Sequence, residues 1–402
     1  MTRSFTAQKV VDDIYWVGAI DWEIDDFHGY TTRRGSTYNA YLVLDETVTL
    51  IDTVKAPFVP EMLQRVASLI DPSKIELIVS NHSEMDHSGG LPETLRAVKP
   101  KKLLASVMGE KALGRHFELD CAVTPVKDGE TLSIGKRELH FIETRMLHWP
   151  DSMFTYVSPD RVLFSQDAFG MHLASGERFA DQIDPAVLEE EAARYYANIL
   201  LPFSPLVLKL LEKVKTSALE IDVIAPDHGP IWRKDLDRIV RRYATWAKQT
   251  PTMKAVVVYD TMWHSTERMA KAVAEGLVAG GASVKVVSLG TRHRSDAVTE
   301  LLDAGALVVG SPTLNNQMFP TVADFLAYLK GLKPRNLVGA AFGSYGWSGE
   351  AAKLIRQELE SMKVTIAADE VRCNYVPKEK DLADCRTLGE TVAKVLKEAC
   401  EA

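Results

Sequence analysis

From Thr252 onward, apolar strand-like runs and amphipathic helical stretches follow one another in strict alternation, and no other feature limits the fold so sharply. AVVVYD (255–260) reads as a buried strand, Thr266 to Ala279 as a helix, SVKVVSL (283–289) as a strand, Ser295 to Asp303 as a helix and ALVVGS (306–311) as a strand. A helix over Thr321 to Lys330, a strand in NLVGAAFGS, a helix from Gly349 to Met362 and a long helix after Lys378 complete the series. Strands joined by helical crossovers run parallel. The stretch therefore predicts a doubly wound parallel sheet with ligand loops at the strands' carboxyl ends.

The residues before Thr250-Pro251-Thr252 are patterned differently. IYWVGAI opens a series of short strands, and NAYLVLDETVTLIDT alternates and turns at Asp45-Glu46 like a hairpin. Phe58 to Ile70 has helical spacing, and KIELIVS (74–80), KLLAS, RELHFIET, MFTYVS and RVLFSQD read as strands. Pro185 to Lys215 looks helical, and DVIAPDHGP looks like a strand running into a loop. This is mixed α/β with antiparallel pairing, so the 402 residues divide into an expected domain at 1–250 and another at 251–402.

Composition removes several function classes. The chain has 47 Lys+Arg against 55 Asp+Glu, a net charge of −8, which argues against a nucleic-acid partner. No window is apolar enough to span a bilayer, and MTRSFTAQKVVDDIYW lacks the apolar core of a signal peptide. Four cysteines, none in a CxxC pair, provide neither a thiolate metal site nor a disulfide framework, which suits a reducing cytoplasm.

The densest chemical signal is His82-Ser83-Glu84-Met85-Asp86-His87, directly after a strand. In an extended or turn segment, alternate residues project to one side, so His82, Glu84 and Asp86 can converge while His87 reaches round the turn. A solvated polar loop would explain one His-x-Glu but explains poorly four donors in six residues ahead of Gly89-Gly90. His148 follows RELHFIET, Asp167 ends RVLFSQD, and His228 follows DVIAP, so all sit where strands finish. Four imidazoles and three carboxylates exceed what one tetrahedral zinc takes. They suit two metals, with Asp167 as a bridge. The oxygen-rich, thiolate-free donor set fits iron or manganese better than hydrolytic zinc, although softness alone does not choose the metal.

In the second half, three loops follow strands. Thr261-Met262-Trp263-His264-Ser265-Thr266 leads into a helix, where hydroxyls and backbone N–H groups can hold a phosphate. A plain N-cap by Ser265 or Thr266 explains that loop equally well. The other two are Gly310-Ser311-Pro312-Thr313-Leu314-Asn315-Asn316 and Gly343-Ser344-Tyr345-Gly346-Trp347-Ser348-Gly349, whose small and aromatic residues can embrace a planar ring. No Walker lysine and no GxGxxG is present, which favours a mononucleotide.

His-x-Glu-x-Asp-His resembles the His-x-His-x-Asp-His of the metallo-β-lactamase fold, with Glu84 in the second position. That replacement marks the flavodiiron proteins, also called A-type flavoproteins or rubredoxin:oxygen oxidoreductases. The resemblance extends along the whole chain through DFHGYTT, TYNAYLV, ETRMLHWPDSM, ERFADQI, YYANI, PDHG, MWHST, GSPT and FGSYGWSGE. It implies an N-terminal metallo-β-lactamase-like αββα sandwich and a C-terminal flavodoxin-like domain holding FMN. By the resemblance, one iron takes His82, Glu84 and His148, and the other takes Asp86 and His228 with His87 near it. Asp167 bridges the diiron centre. Thr261 to Thr266 hold the FMN phosphate, and the other two loops contact the isoalloxazine. The implied activity is reduction of O2 to water and of NO to N2O. Electrons come from a small redox protein such as rubredoxin, and a head-to-tail homodimer, or a dimer of dimers, brings one subunit's flavin to the other's metals. Tyr30, Tyr195, Tyr196 and His28 are candidates for proton delivery, with packing as the alternative. A zinc hydrolase with an appended flavodoxin domain, or a plain electron carrier, are the competing expectations.

Overall fold

The computed structural model describes residues 5–217 and 219–401; Met1 to Ser4, Ala218 and Ala402, which the expected domain spans include, lie outside them. Two compact units are present. The first runs as far as Ala244, apart from Gly29–Thr31 and Tyr196–Ser204, which belong to the second. The second otherwise begins at Thr245, inside the helix Leu236–Lys248.

The first unit is a sandwich of two sheets. One has seven strands in the spatial order Gln8–Val11, Ile14–Trp16, Tyr41–Val43, Thr49–Ile51, Leu77–Ser80, Lys102–Ser106, Val123–Val126. The other has five, Thr131–Ser133, Glu138–Glu143, Met153–Ser158, Val162–Phe164 and Val223–Ala225. Period-two alternation decides what each strand buries. Tyr41, Val43, Ile51, Leu77, Val79 and Leu104 face the second sheet's Leu139, Phe141, Val157 and Phe164. Their neighbours Leu42, Leu50, Ile78, Leu103 and Ala105 face the other way, onto Val59, Met62 and Val66 of the helix Val59–Ala67 and onto Leu91, Leu95 and Val98 of the helix Leu91–Val98. Both faces of the first sheet are thus covered, which is why its central strands read as continuous apolar runs.

The second unit has the doubly wound order Ser283–Ser288, Lys254–Tyr259, Ala306–Leu314, Val338–Tyr345, Thr365–Ile366, all parallel. Ala255, Val257, Val308, Ala340 and Phe342 pack on Met269, Val273 and Leu277 of the helix Ser265–Ala279 and on Leu388, Val392 and Leu396 of the helix Glu379–Glu401. A Cβ on Gly310 would stand 2.2 Å from the Phe342 ring, so only glycine lets that ring fill the core. The expected helices and strands are present within a few residues. The strand expected at 306–311 continues through Leu314 and turns at Asn315 and Asn316, both at positive φ, to pair with Gln317–Met318. Pro312 to Leu314 are therefore strand, where a loop was expected, because the hairpin supplies backbone partners beyond the sheet. The strand expected to end at Asp167 stops at Phe164, because Gln166 adopts positive φ and its side-chain Oε1 accepts from the Asp167 N–H at 2.7 Å.

Arg137, 8% exposed, ties its own turn to three others of the first unit. Its Nε donates to Asp160 Oδ2 at 2.7 Å, Nη2 to Asp160 Oδ1 at 3.2 Å and to the Asp12 carbonyl at 3.0 Å, and Nη1 to the Leu44 carbonyl at 3.3 Å. Replacing it strands these acceptors, a loss of about 3 kcal/mol for a mostly buried charged hub. We therefore expect Arg137→Ala to lower the urea midpoint of unfolding by that equivalent, with Arg137→Lys in between because lysine cannot make the paired contact to Asp160.

Candidate functional site

The first unit gathers its polar interior where strands of both sheets end. The residue immediately before each of three candidate ligands holds its loop in place. Asn81 stands ahead of His82, and its N–H and Nδ2 donate to the two Asp52 oxygens at 2.6 and 2.7 Å, while its Oδ1 accepts from Thr155 Oγ1 at 2.7 Å. Gln166 stands ahead of Asp167, and its Nε2 donates to the Leu147 carbonyl at 2.5 Å, joining the Asp167 turn to the His148 loop. Asp227 stands ahead of His228, and its N–H donates to the Gln166 carbonyl at 2.8 Å. Gly229 follows at φ +74°, where a Cβ would meet the Met171 carbonyl at 2.6 Å, so the turn out of His228 requires glycine.

All seven predicted donors come together, in two groups. His82, Glu84, His148 and Asp167 form one, and Asp86, His87 and His228 the other. Asp167 faces both. Its Oδ2 lies 3.0 Å from His148 Nε2 and 3.3 Å from His82 Nε2, and its Oδ1 lies 3.2 Å from His87 Nε2 and 3.5 Å from His228 Nε2. Glu84 Oε2 closes the first group at 3.2 Å from His82 Nε2 and 3.1 Å from His148 Nε2. Asp86 closes the second, with Oδ2 at 3.1 Å from His228 Nε2 and Oδ1 at 3.4 Å from His87 Nε2. The expectation that Asp86 projects alongside His82 and Glu84 is corrected here. Met85–Ser88 is a turn of helix, so the period changes after Glu84 and Asp86 is carried with His87 into the second group.

These side chains are almost entirely buried, and both oxygens of Asp86 and of Asp167 and both ring nitrogens of His87 lack a hydrogen-bond partner among the described residues. Burial penalises charge on His87, His148 and the three carboxylates, and mutual attraction overrides it. Asp86 and Asp167 push His87 up to about 10, and Asp167 and Glu84 push His148 up to about 9, against that penalty. Likewise burial opposes the carboxylates of Glu84, Asp86 and Asp167, yet the surrounding imidazoles hold all three below the ordinary range. Cations between the two groups would take over this positive charge, leave the imidazoles neutral and satisfy the bare oxygens, so the residues fit a two-metal centre.

Residues that sequence reasoning did not single out surround the donors. His228 Nδ1 donates to the Thr37 carbonyl at 2.6 Å, which leaves Nε2 free to ligate. His82 Nδ1 is 3.3 Å from Asp151 Oδ2, and His87 Nδ1 is 3.5 Å from Asp227 Oδ2. Burial pushes Asp227 well above the ordinary carboxylate range, with Asp52 adding to it, and pushes Asp52 up to about 6. His172 packs its ring 4.4 Å from that of His228 and shares a 2.6 Å hydrogen bond with Ser36 Oγ. Among the expected proton-delivery candidates, His28 Nε2 hydrogen-bonds Glu84 Oε1 while its side chain stays 56% exposed. Tyr195 meets the His172 ring edge-on at 5.2 Å, Tyr30 is buried, and the Tyr196 hydroxyl pairs with Ser204 Oγ at 3.2 Å.

The second unit holds a cavity of about 460 Å³ at the carboxyl ends of its strands. Met262, Trp263 and Ser265 form one side, Pro312 to Asn316 a second, and Ser344 to Trp347 a third. Ser348 of the same loop, and Tyr375 and Val376, which were not anticipated, complete the wall. Tyr375 and Val376 follow the strand Val371–Asn374, which has no strong strand signal in the sequence. Thr261, His264 and Thr266 are outside the wall. Thr266 Oγ1 instead bonds Ser344 Oγ at 2.8 Å, and His264 turns outward at φ +63° to pair with Glu267 at 2.7 Å. Thr261 Oγ1 is buried without a hydrogen-bond partner among the described residues. No helix among the described residues is long and apolar enough to cross a membrane.

Comparison with known proteins agrees with both halves. Residues 37–229 match the family described as ODP family beta lactamase, and residues 257–389 match flavodoxin. A nitric oxide reductase of Moorella thermoacetica is 47% identical over 96% of this chain and 97% of its own length. The solved rubredoxin oxygen:oxidoreductase of Desulfovibrio gigas superposes with a TM-score of 0.97 at 46% identity, covering 99% of this chain and 100% of that one. The flavodiiron protein of Giardia intestinalis superposes with a TM-score of 0.95 at 35% identity, covering 98% of each chain. The first unit is thus a metallo-β-lactamase-like domain with a candidate metal centre, and the second a flavodoxin domain, the kind that holds a flavin. With its donor set, its cavity and these full-length likenesses, the chain belongs to the flavodiiron protein family.

Proposed function

We propose that this chain is a cytoplasmic diiron flavoprotein that reduces O2 to water and NO to N2O, with electrons from a small redox protein of the rubredoxin kind. The observation that carries the reading is the Asp167 carboxylate, one oxygen facing each of two donor groups. Relatives named as a nitric oxide reductase and a rubredoxin oxygen:oxidoreductase support both substrates and the donor. When bound, two ferrous ions and reduced FMN together supply four electrons, the number that takes O2 to two waters, while two suffice for two NO to become N2O and water.

His82, Glu84 and His148 would hold one iron, and Asp86 and His228 the other, with His87 beside it and Asp167 shared. With Nδ1 of His228 and of His82 turned to Thr37 and Asp151, the Nε2 of each would be the atom that holds a metal. Glu84, anchored on its outer oxygen by the half-exposed His28, has a neighbour that can carry a proton between solvent and the site. The burial of the donors themselves keeps bulk water from them. In the flavin half, the walls at Pro312 to Asn316 and Ser344 to Trp347 would hold the isoalloxazine, and the loop from Thr261 to Thr266 the phosphate. Residues 1–250 would then be the diiron domain and 251–402 the FMN domain. A zinc hydrolase has no use for a flavodoxin domain, and Glu84 stands where that chemistry places an imidazole.

Met85 and Met146 beside the donors, and Trp263 and Trp347 on the cavity wall, are exposed apolar side chains. Both sites therefore favour cover by another surface. A head-to-tail homodimer, alone or paired as a tetramer, supplies it and brings flavin to metal. Separated monomers should keep their metal and lose turnover, and a sedimentation-verified monomer that still consumes O2 or NO would refute the dimer.

Further outcomes follow for the ligands. His228→Ala should lose one metal per chain by elemental analysis and Asp167→Ala both, since only Asp167 serves the two groups; equal losses would contradict the bridge. His148→Ala should leave anaerobic flavin reduction by rubredoxin intact and stop O2 and NO consumption. Unchanged gas consumption in that variant would point to a plain electron carrier.

A further inference from the structure

We propose that Asp151 is a positioning residue for the His82 half of the metal centre, and that its carboxylate makes the two metal sites electronically unequal. The inference rests on the diiron reading above.

Asp151 lies three residues past His148 and is 3% exposed. Its Oδ2 accepts the Ser83 N–H at 2.6 Å and sits 3.3 Å from His82 Nδ1. Its carbonyl accepts from Ser106 Oγ at 2.7 Å, and Ser106 Oγ also accepts from the Gly109 N–H at 3.0 Å at the start of the helix Val107–His116. The carboxylate is thus anchored independently of the metal ligands it touches. The Trp149 ring meets the His82 ring edge-on at 5.3 Å, which limits rotation of the imidazole. With Nδ1–H given to Asp151, His82 must present the Nε2 lone pair, and Nε2 is the atom that faces Glu84 Oε2 and Asp167 Oδ2.

The second group is backed differently: the His228 Nδ1–H goes to the neutral Thr37 carbonyl at 2.6 Å, and His87 Nδ1, 3.5 Å from Asp227 Oδ2, makes no hydrogen bond to it. An imidazole backed by a carboxylate is the more basic donor and stabilises the more oxidised ion, so the metal on His82 should be the harder of the two to reduce. A merely structural Asp151 would cap the Ser83 N–H and do nothing more.

Asp151→Asn separates the two roles. The amide oxygen in the Oδ2 position still accepts from Ser83 and His82, while the NH2 takes the place of Oδ1, which has no hydrogen-bond partner among the described residues. The full-length, iron- and flavin-loaded variant should melt as the wild type does. One iron should be lost to a chelator with about 10- to 100-fold weaker affinity, with a shifted Mössbauer doublet and a raised potential, and the other should be unchanged. Two unaltered doublets with wild-type chelator competition would overturn the proposal. A measurement without a variant tests it as well: zinc-loaded wild-type protein should show a slowly exchanging His82 Nδ1–H in 15N-correlated NMR spectra, and its absence would overturn the proposal. Wild-type protein that takes up no pair of metal ions defeats the diiron reading and this inference together. Wild-type protein that binds both irons, matched in every respect by Asp151→Asn, defeats this inference alone.

Discussion

One carboxylate, Asp167, faces two clusters of imidazoles and acids at a place that is 1% exposed. Collecting so much charge away from water costs several kcal/mol per ion unless each charge meets another of opposite sign. Much of the first unit answers that demand. Loops from both sheets must arrive together, and each is pinned by a side chain that is not itself a donor: Asn81 to Asp52 and Thr155, Gln166 to Leu147, Asp151 to Ser83. The two sheets supply the rigidity, with apolar side chains interdigitating between them and helices closing the outer face of the first sheet.

The flavodoxin unit solves a different problem with a simpler device. Parallel strands leave their carboxyl ends on one edge, and the loops there wall a cavity without bringing charges together. The close fit of Gly310 against Phe342 lies in the strand that leads to one of those loops, so core packing and cavity shape are linked through a single backbone. The aromatic groups at the wall, Trp263 and Trp347, remain in water, unlike the core aromatics Phe325 and Phe342.

Much of this was legible beforehand, for identifiable reasons. The seven donors announced themselves because metal chemistry restricts residue type and because each follows a strand. The supporting residues did not, since Asn81, Gln166 and Asp227 are ordinary loop residues until their partners are known. A signal was present nonetheless for two of them: an amide side chain directly precedes His82 and Asp167. At a strand end, neighbouring residues point to opposite sides, so one can ligate while the other ties the loop down. The alternation argument for Asp86 failed because Met85–Ser88 is helical, a local change of period that four residues are too few to reveal. Tyr375 and Val376 were invisible because a four-residue strand of mixed character, Val371–Asn374, brings them to the cavity.

The amino-acid sequence alone determined the architecture of each half, the family, and which residue types converge, because periodicity and donor chemistry are local properties written into short stretches of chain. Tertiary structure alone decided the division of the donors into two groups, the two-faced role of Asp167, and the unequal backing of His82 by a carboxylate and His228 by a carbonyl. Those depend on which atom of one loop meets which atom of another across scores of residues, and no local pattern carries that distance.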